Sequence, residues 1–186
     1  MSTRPERTDR VTQPVLLKTL IVGMVAMVGL AGCSDPGASA TDFPGTEEGA
    51  KALLTKLLEN EADRAMMTLA LKPTDADYEA IFVSDVVDKV KKGYESLWSG
   101  NPVIKPKEGQ TALLLWGATS AEIKDWTGGA ARDFPGGWKG VGASLQDGLT
   151  FYRFKFVEPG ETLGMAFDGL VYVNDHWVWA PKPGPP

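Results

Sequence analysis

The chain of 186 residues holds one cysteine and one histidine. A single thiol, Cys33, has no intramolecular disulfide partner. One imidazole with no spare cysteine rules out the common zinc ligand sets, leaving only carboxylate sites of the calcium type. Asp75, Asp77 and Glu79 lie close together but lack the glycine and the bidentate glutamate that close a calcium loop, and capping of a helix accounts for them. No metal and no cofactor is expected. Acyl transfer needs a nucleophile with a base in reach. His176, the one histidine, opens the last predicted strand beside a turn, where exposure is expected, and no Gly-x-Ser-x-Gly motif accompanies it. Basic runs are equally scarce: the only cluster, Lys89 to Lys92, shares its helix with carboxylates. There is no internal repeat. The longest uncharged apolar run, residues 20–31, has 12 residues, whereas a transmembrane helix needs ~20.

That short run is preceded by a polar segment carrying Arg4, Arg7, Arg10 and Lys18, the basic and apolar regions of an export signal. It ends in Leu30-Ala31-Gly32-Cys33, which resembles the lipobox of bacterial lipoproteins. The competing reading is an ordinary export signal with a cysteine near its end. The resemblance covers the first 33 residues and implies cleavage before Cys33, diacylglycerol on its sulfur and often acylation of the new amino group. Two or three acyl chains meet the requirement for stable anchoring, since one alone binds a membrane only marginally. It also explains an exported odd thiol. The implied location is the bacterial cell envelope, anchored by lipid and facing the periplasm or the cell exterior, with Ser34 compatible with an outer membrane. Without residues 1–32 the chain has 15 Lys and Arg against 22 Asp and Glu, a net charge of −7. Nucleic acid and anionic-lipid surfaces are therefore unsuited as partners.

The organisation that follows is a signal over residues 1–32, a flexible tether over 33–45 that is small and polar from Ser34 to Thr41, one domain over 46–180 and a Pro-rich tail over 181–186. Ala50, Leu53, Leu54, Leu57 and Leu58 have helical spacing behind Thr46 as N-cap. The helix, or a second one after a break near Asn60, continues through Ala65, Met66 and Leu69 and stops before Pro73. A further helix, capped at 74–77, carries an apolar stripe from Tyr78 through Ile81, Phe82, Val86, Val90 and Leu97 to Trp98. Its outer face offers the acid-first pairs Asp85/Lys89 and Asp88/Lys92.

After a loop at 99–102 the pattern turns to strands. Residues 111–118 read as a buried strand, and 120–126 as one or two helical turns. The loop bearing Gly128, Gly129, Gly136 and Gly137 reads as a flexible surface connection, for it lacks the lysine-hydroxyl pair of a phosphate loop. Residues 150–157 alternate, with Tyr152, Phe154 and Phe156 on one face and Arg153 and Lys155 on the other. Leu163, Met165 and Phe167 continue with period two, Asp168-Gly169 marks a bulge or bend, and Asn174-Asp175 forms a tight turn into residues 176–180.

Helices first and antiparallel strands second predict an α+β fold, with N-terminal helices packed on one face of a curved sheet. The order, ending in Val-Tyr-Val-Asn-Asp-His-Trp-Val-Trp, resembles the nuclear-transport-factor-2-like and cystatin-like superfamily over residues 46–180. The resemblance implies a curved sheet round a long helix and a concave pocket, in a group that includes isomerases, dehydratases and binding modules. Two sets of site residues follow. Asp168 is the candidate for a carboxylate general base in an apolar pocket, against a plain role in stabilising the bend. Trp177 and Trp179, pointing to one face, are candidates with Tyr152 for binding a ligand, against use in the core. The leading expectation is a non-enzymatic binding or accessory domain with an envelope protein or a small apolar ligand as partner. A pocket enzyme of isomerase or dehydratase type and an interaction module using the final hairpin are the alternatives.

Overall fold

The computed structural model describes residues 40–183. The signal, the lipobox and Cys33 lie outside the described residues. The fold is α+β, with six helices and a four-stranded antiparallel sheet in the order β1-β2-β3-β4 among the described residues.

The first helix, α1 (Glu47–Glu59), starts where Thr46 accepts a hydrogen bond from the Gly49 backbone. Its apolar face, Ala50, Leu53, Leu54 and Leu57, is buried. The chain breaks at Asn60 and resumes as α2 (Arg64–Ala70), which buries Met67 and Thr68 and turns Met66 and Leu69 outward. The stripe expected from residue 78 to 98 as one helix is two: α3 (Asp75–Ile81) and α4 (Val87–Ser99). Between them Phe82 is extended and bridges Leu145 antiparallel. Where the superfamily resemblance implies one long helix, the longest of the described helices, α1 and α4, have 13 residues each. Across the surface of α4 the ion pair formed runs from Lys91 to Asp75 at 3.1 Å.

Strand β1 (Ala112–Thr119) is half-buried at one edge of the sheet. It leads into α5 (Ser120–Asp125) and α6 (Gly128–Asp133), then two short 3-10 turns, Gly136–Gly140 and Gly142–Ser144. This stretch is not the loose surface connection its glycines suggest. Trp138 is 1% exposed and packs with Phe134 and with Phe151 of the sheet. Strand β2 (Thr150–Val157) pairs with β3 (Gly164–Val173), and β3 with β4 (His176–Trp179). A bulge separates the pairs Tyr152/Leu170 and Arg153/Asp168. The extra residue is Gly169, at φ +83°, where a Cβ would meet the Ala180 carbonyl oxygen at 2.0 Å. Only glycine fits such a close approach at positive φ. Asn174 and Asp175, at φ 48° and 62°, make the expected tight hairpin turn.

The register decides what each face carries. Tyr152, Phe154, Phe156, Phe167, Trp177 and Trp179 share one face and form two sets of ring contacts: Tyr152 with Trp177, and Phe154 with Phe156, Phe167 and Trp179, the second set extended by Trp98 of α4. Phe151, Val171 and Val178 lie on the other, under Trp138. The sheet is thus covered on both faces at this end rather than on one. Both flanks of the 46–180 region also join the fold. Ala40 is buried, and its carbonyl accepts the Trp177 backbone N–H. Farther along β4 the Leu71 carbonyl accepts the N–H of Trp179, so the outer edge of that strand is bonded. Tyr94 donates to the Pro181 carbonyl and holds the start of the tail.

Candidate functional site

The three aromatic candidates come together but not at a surface. Trp177 is fully buried, and Trp179 and Tyr152 are each 7% exposed. Alternation placed both indoles on the same face correctly, but that face is roofed by the segment leading into α1. The Trp177 indole donates to the Phe43 carbonyl at 3.2 Å, and Tyr152 and Tyr172 meet its ring edge-on. These residues are core. Partly exposed indoles occur instead at Trp116 and Trp126. Arg153 and Lys155 lie over the Trp116 ring, 5.6 and 5.8 Å from its centroid.

Asp168 sits just before the bulge, and its groups are engaged. Its carbonyl accepts from the Trp179 indole, and its Oδ1 accepts the backbone N–H of Lys182, both at 2.9 Å. That is a brace between the bulge and the tail, matching the bend-stabilising reading of Asp168-Gly169.

The cluster that the sequence did not reveal centres on Asp77, whose side chain is fully buried. As expected of residues 74–77, it closes a capping box with Thr74 at the start of α3. It also reaches across the fold. Asn174 Nδ2 donates to Oδ1 at 2.8 Å, and His176 Nε2 lies 3.2 Å from Oδ2. Burial works against its ionisation, but hydrogen bonds from the Thr74 backbone, the Asn174 amide and the Thr74 hydroxyl, with the charge of His176, outweigh it. The carboxyl is held below the usual aspartate range. His176 Nδ1 lies 3.0 Å from the Asn174 carbonyl. The imidazole therefore bridges a carboxylate and a carbonyl, and among the described residues no hydroxyl is bonded to it as a nucleophile would be. The pair fastens α3 to the β3–β4 turn. Among the described residues no group of three or more His, Cys, Asp or Glu is placed to hold a metal ion.

An open site lies elsewhere. A groove of about 380 Å³ lies between α4 and the 3-10 turns, with residues 181–183 forming part of its wall. Val86, Val90, Gly93 and Leu97, spaced on one side of the helix, face Val141 across it. Burial raises the Tyr94 hydroxyl well above its ordinary pKa, with smaller contributions from Tyr78 and Asp168. The hydroxyl stays a neutral donor that pins the wall through Pro181. Gly93 was available as a signal in the sequence: a glycine inside a helix costs roughly 0.5–1 kcal/mol relative to alanine. No packing demands it here, because a Cβ at Gly93 would meet nothing within 4 Å. Gly93→Ala is accordingly expected to stabilise the fold by about 0.5–1 kcal/mol, seen as a raised urea midpoint at unchanged slope. A lowered midpoint would show that the helix is not regular at this residue.

No protein-family model, no curated protein and no solved structure matches the chain.

Proposed function

We propose that this chain is a bacterial cell-envelope lipoprotein, cut before Cys33 and held by acyl chains on that residue, whose domain binds a partner rather than catalysing a reaction. The anchor rests on the sequence Leu30-Ala31-Gly32-Cys33 behind a 12-residue uncharged run. The observation that carries the binding half is the α4 groove, which is open and largely apolar in lining. Its volume of about 380 Å³ lies in the ~300–1,000 Å³ range of ligand sites. Two further placements favour binding over an isomerase or dehydratase: Asp168 braces the tail, and His176 bridges Asp77 and Asn174. Neither lines the groove.

The anchor is tested by fractionating cells that express Cys33→Ala. The parent protein is expected in the membrane fraction, with acyl chains on an N-terminus that begins at Cys33 by mass spectrometry. The variant is expected to lose the acyl mass and to escape cleavage before residue 33. An unacylated parent, together with a variant processed and retained in the same way, would remove the lipoprotein reading.

A further inference from the structure

We infer that the α4 groove binds a single-chain anionic amphiphile, its hydrocarbon chain lying over Gly93 and Gly140 and its anionic head between Lys89 and Lys182. The inference rests on the binding reading of the domain and does not depend on the anchor. Three observations carry it.

The first is the shape of the walls. Gly93 lies within α4 and Gly140 ends the first 3-10 turn on the facing wall. A Cβ built at either meets nothing within 4 Å. Neither glycine is needed to let two parts of the folded chain approach, and no positive φ calls for either. Their shared effect is a channel without side chains between Val90, Leu97 and Val141. An open strip flanked by these apolar side chains suits an unbranched chain, because methylene groups gain from continuous apolar contact.

The second is charge. The chain as a whole is acidic, at −5, yet the charged residues lining the groove are both lysines, Lys89 and Lys182. Lys182 Nζ donates to the Pro183 carbonyl at 3.2 Å, leaving two of its three N–H bonds for an incoming oxygen. A compact ammonium on a flexible stem suits a head group whose position varies with chain length. A cationic or zwitterionic head would forfeit this match, and a neutral one would gain nothing from it.

The third is fixity. The lysine-bearing tail is a formed wall: Asp168 Oδ1 accepts the Lys182 backbone N–H, and Tyr94 holds Pro181. Binding therefore need not order this segment first, which lowers its entropic cost.

The test uses the full chain carrying Cys33→Ala, purified without detergent, and laurate as the probe, followed through the Gly93 and Gly140 amides by nitrogen-15 NMR. Laurate is expected to shift both amides saturably. Dodecanol, with the same chain length and no charge, is expected to bind at least tenfold more weakly. Gly93→Leu, which fills the channel at an open helical position, should weaken laurate at least tenfold while keeping the helical circular dichroism of the parent. The double change Lys89→Glu with Lys182→Glu should weaken it at least fivefold, and this arm decides the matter even where Gly93→Leu disturbs the fold. Equal binding of dodecanol overturns the anionic assignment and leaves a binding domain standing. A groove that takes neither probe removes the binding reading with it. Unchanged affinity in both variants, or amides that reach the laurate-bound position when residues 184–186 are deleted and no ligand is added, overturns the assignment to this groove.

Discussion

Trp177→Ala should cost about 3–5 kcal/mol, the range for removing a large aromatic side chain from a packed core. Trp177 is fully buried, touches the rings of Tyr152 and Tyr172 at 5.7 and 5.3 Å between centroids, and donates to the Phe43 carbonyl. Truncation leaves a cavity between sheet and roof and strips a carbonyl of its donor. Against a total stability of ~5–15 kcal/mol for a domain, that removes a large share of the whole and, at the low end of that range, leaves a large fraction unfolded. Urea unfolding followed by circular dichroism measures it. Trp177→Phe separates the two causes: it keeps most of the packing and loses the indole bond, so a smaller loss of ~1–2 kcal/mol is expected. A Trp177→Ala variant within 1 kcal/mol of the parent would mean that the roof of residues 40–45 does not seal the sheet.

Asp77→Ala is the second large effect, at about 3–5 kcal/mol, because several partly buried donors lose their acceptor at once and each costs about 1–3 kcal/mol. Thr74, Asn174 and His176 all lose an acceptor together. The loss has a pH signature with a definite sign. The folded pKa of Asp77 lies below its ordinary value of 3.8, so the folded state favours the carboxylate. Its contribution is whole above the unfolded value and disappears as pH falls through the lowered folded one. The stability gap between the parent and Asp77→Asn should therefore narrow as pH falls below the ordinary value of 3.8 and through the lowered folded one. A gap that widens on acidification in that lower range would show the carboxyl to be buried in its neutral form.

How far the sequence reaches can be judged from individual residues. Alternation located β2 to the residue, because one face of it is aromatic and the other carries Arg153 and Lys155. The Asn174-Asp175 turn and the Gly169 bulge were equally legible, since each needs a backbone conformation that few residue types accept. The break between α3 and α4 was hidden. Phe82 and Val86 keep helical spacing with their neighbours, and no proline or glycine marks the interruption. Phe82 leaves the helix for a bridge to Leu145, 63 positions away, a tertiary preference that overrides the local period.

The same limit governs the site. Alternation places Trp177 and Trp179 on one side but is silent on what covers that side, and residues 40–45 carry no periodic pattern that marks them as a roof. The Asp77 cluster joins residues 97 and 99 positions apart. The groove draws on α4, the 3-10 turns and residues 181–183. Of that arrangement only Gly93, out of place in a helix, left a local trace.

The seams that close this domain run between its two ends, and they set an order in time. Phe43 waits for Trp177, 134 positions later, and Tyr94 waits for Pro181. Leu71 takes its partner from Trp179. Contacts so distant along the chain form late and slow the search for the native state. A growing polypeptide cannot close this core until its last hairpin has been synthesised. Under the export reading, that delay keeps the precursor unfolded through most of its synthesis, in the extended form a chain needs to be threaded across a membrane. The roof over Trp177 then closes only on the far side.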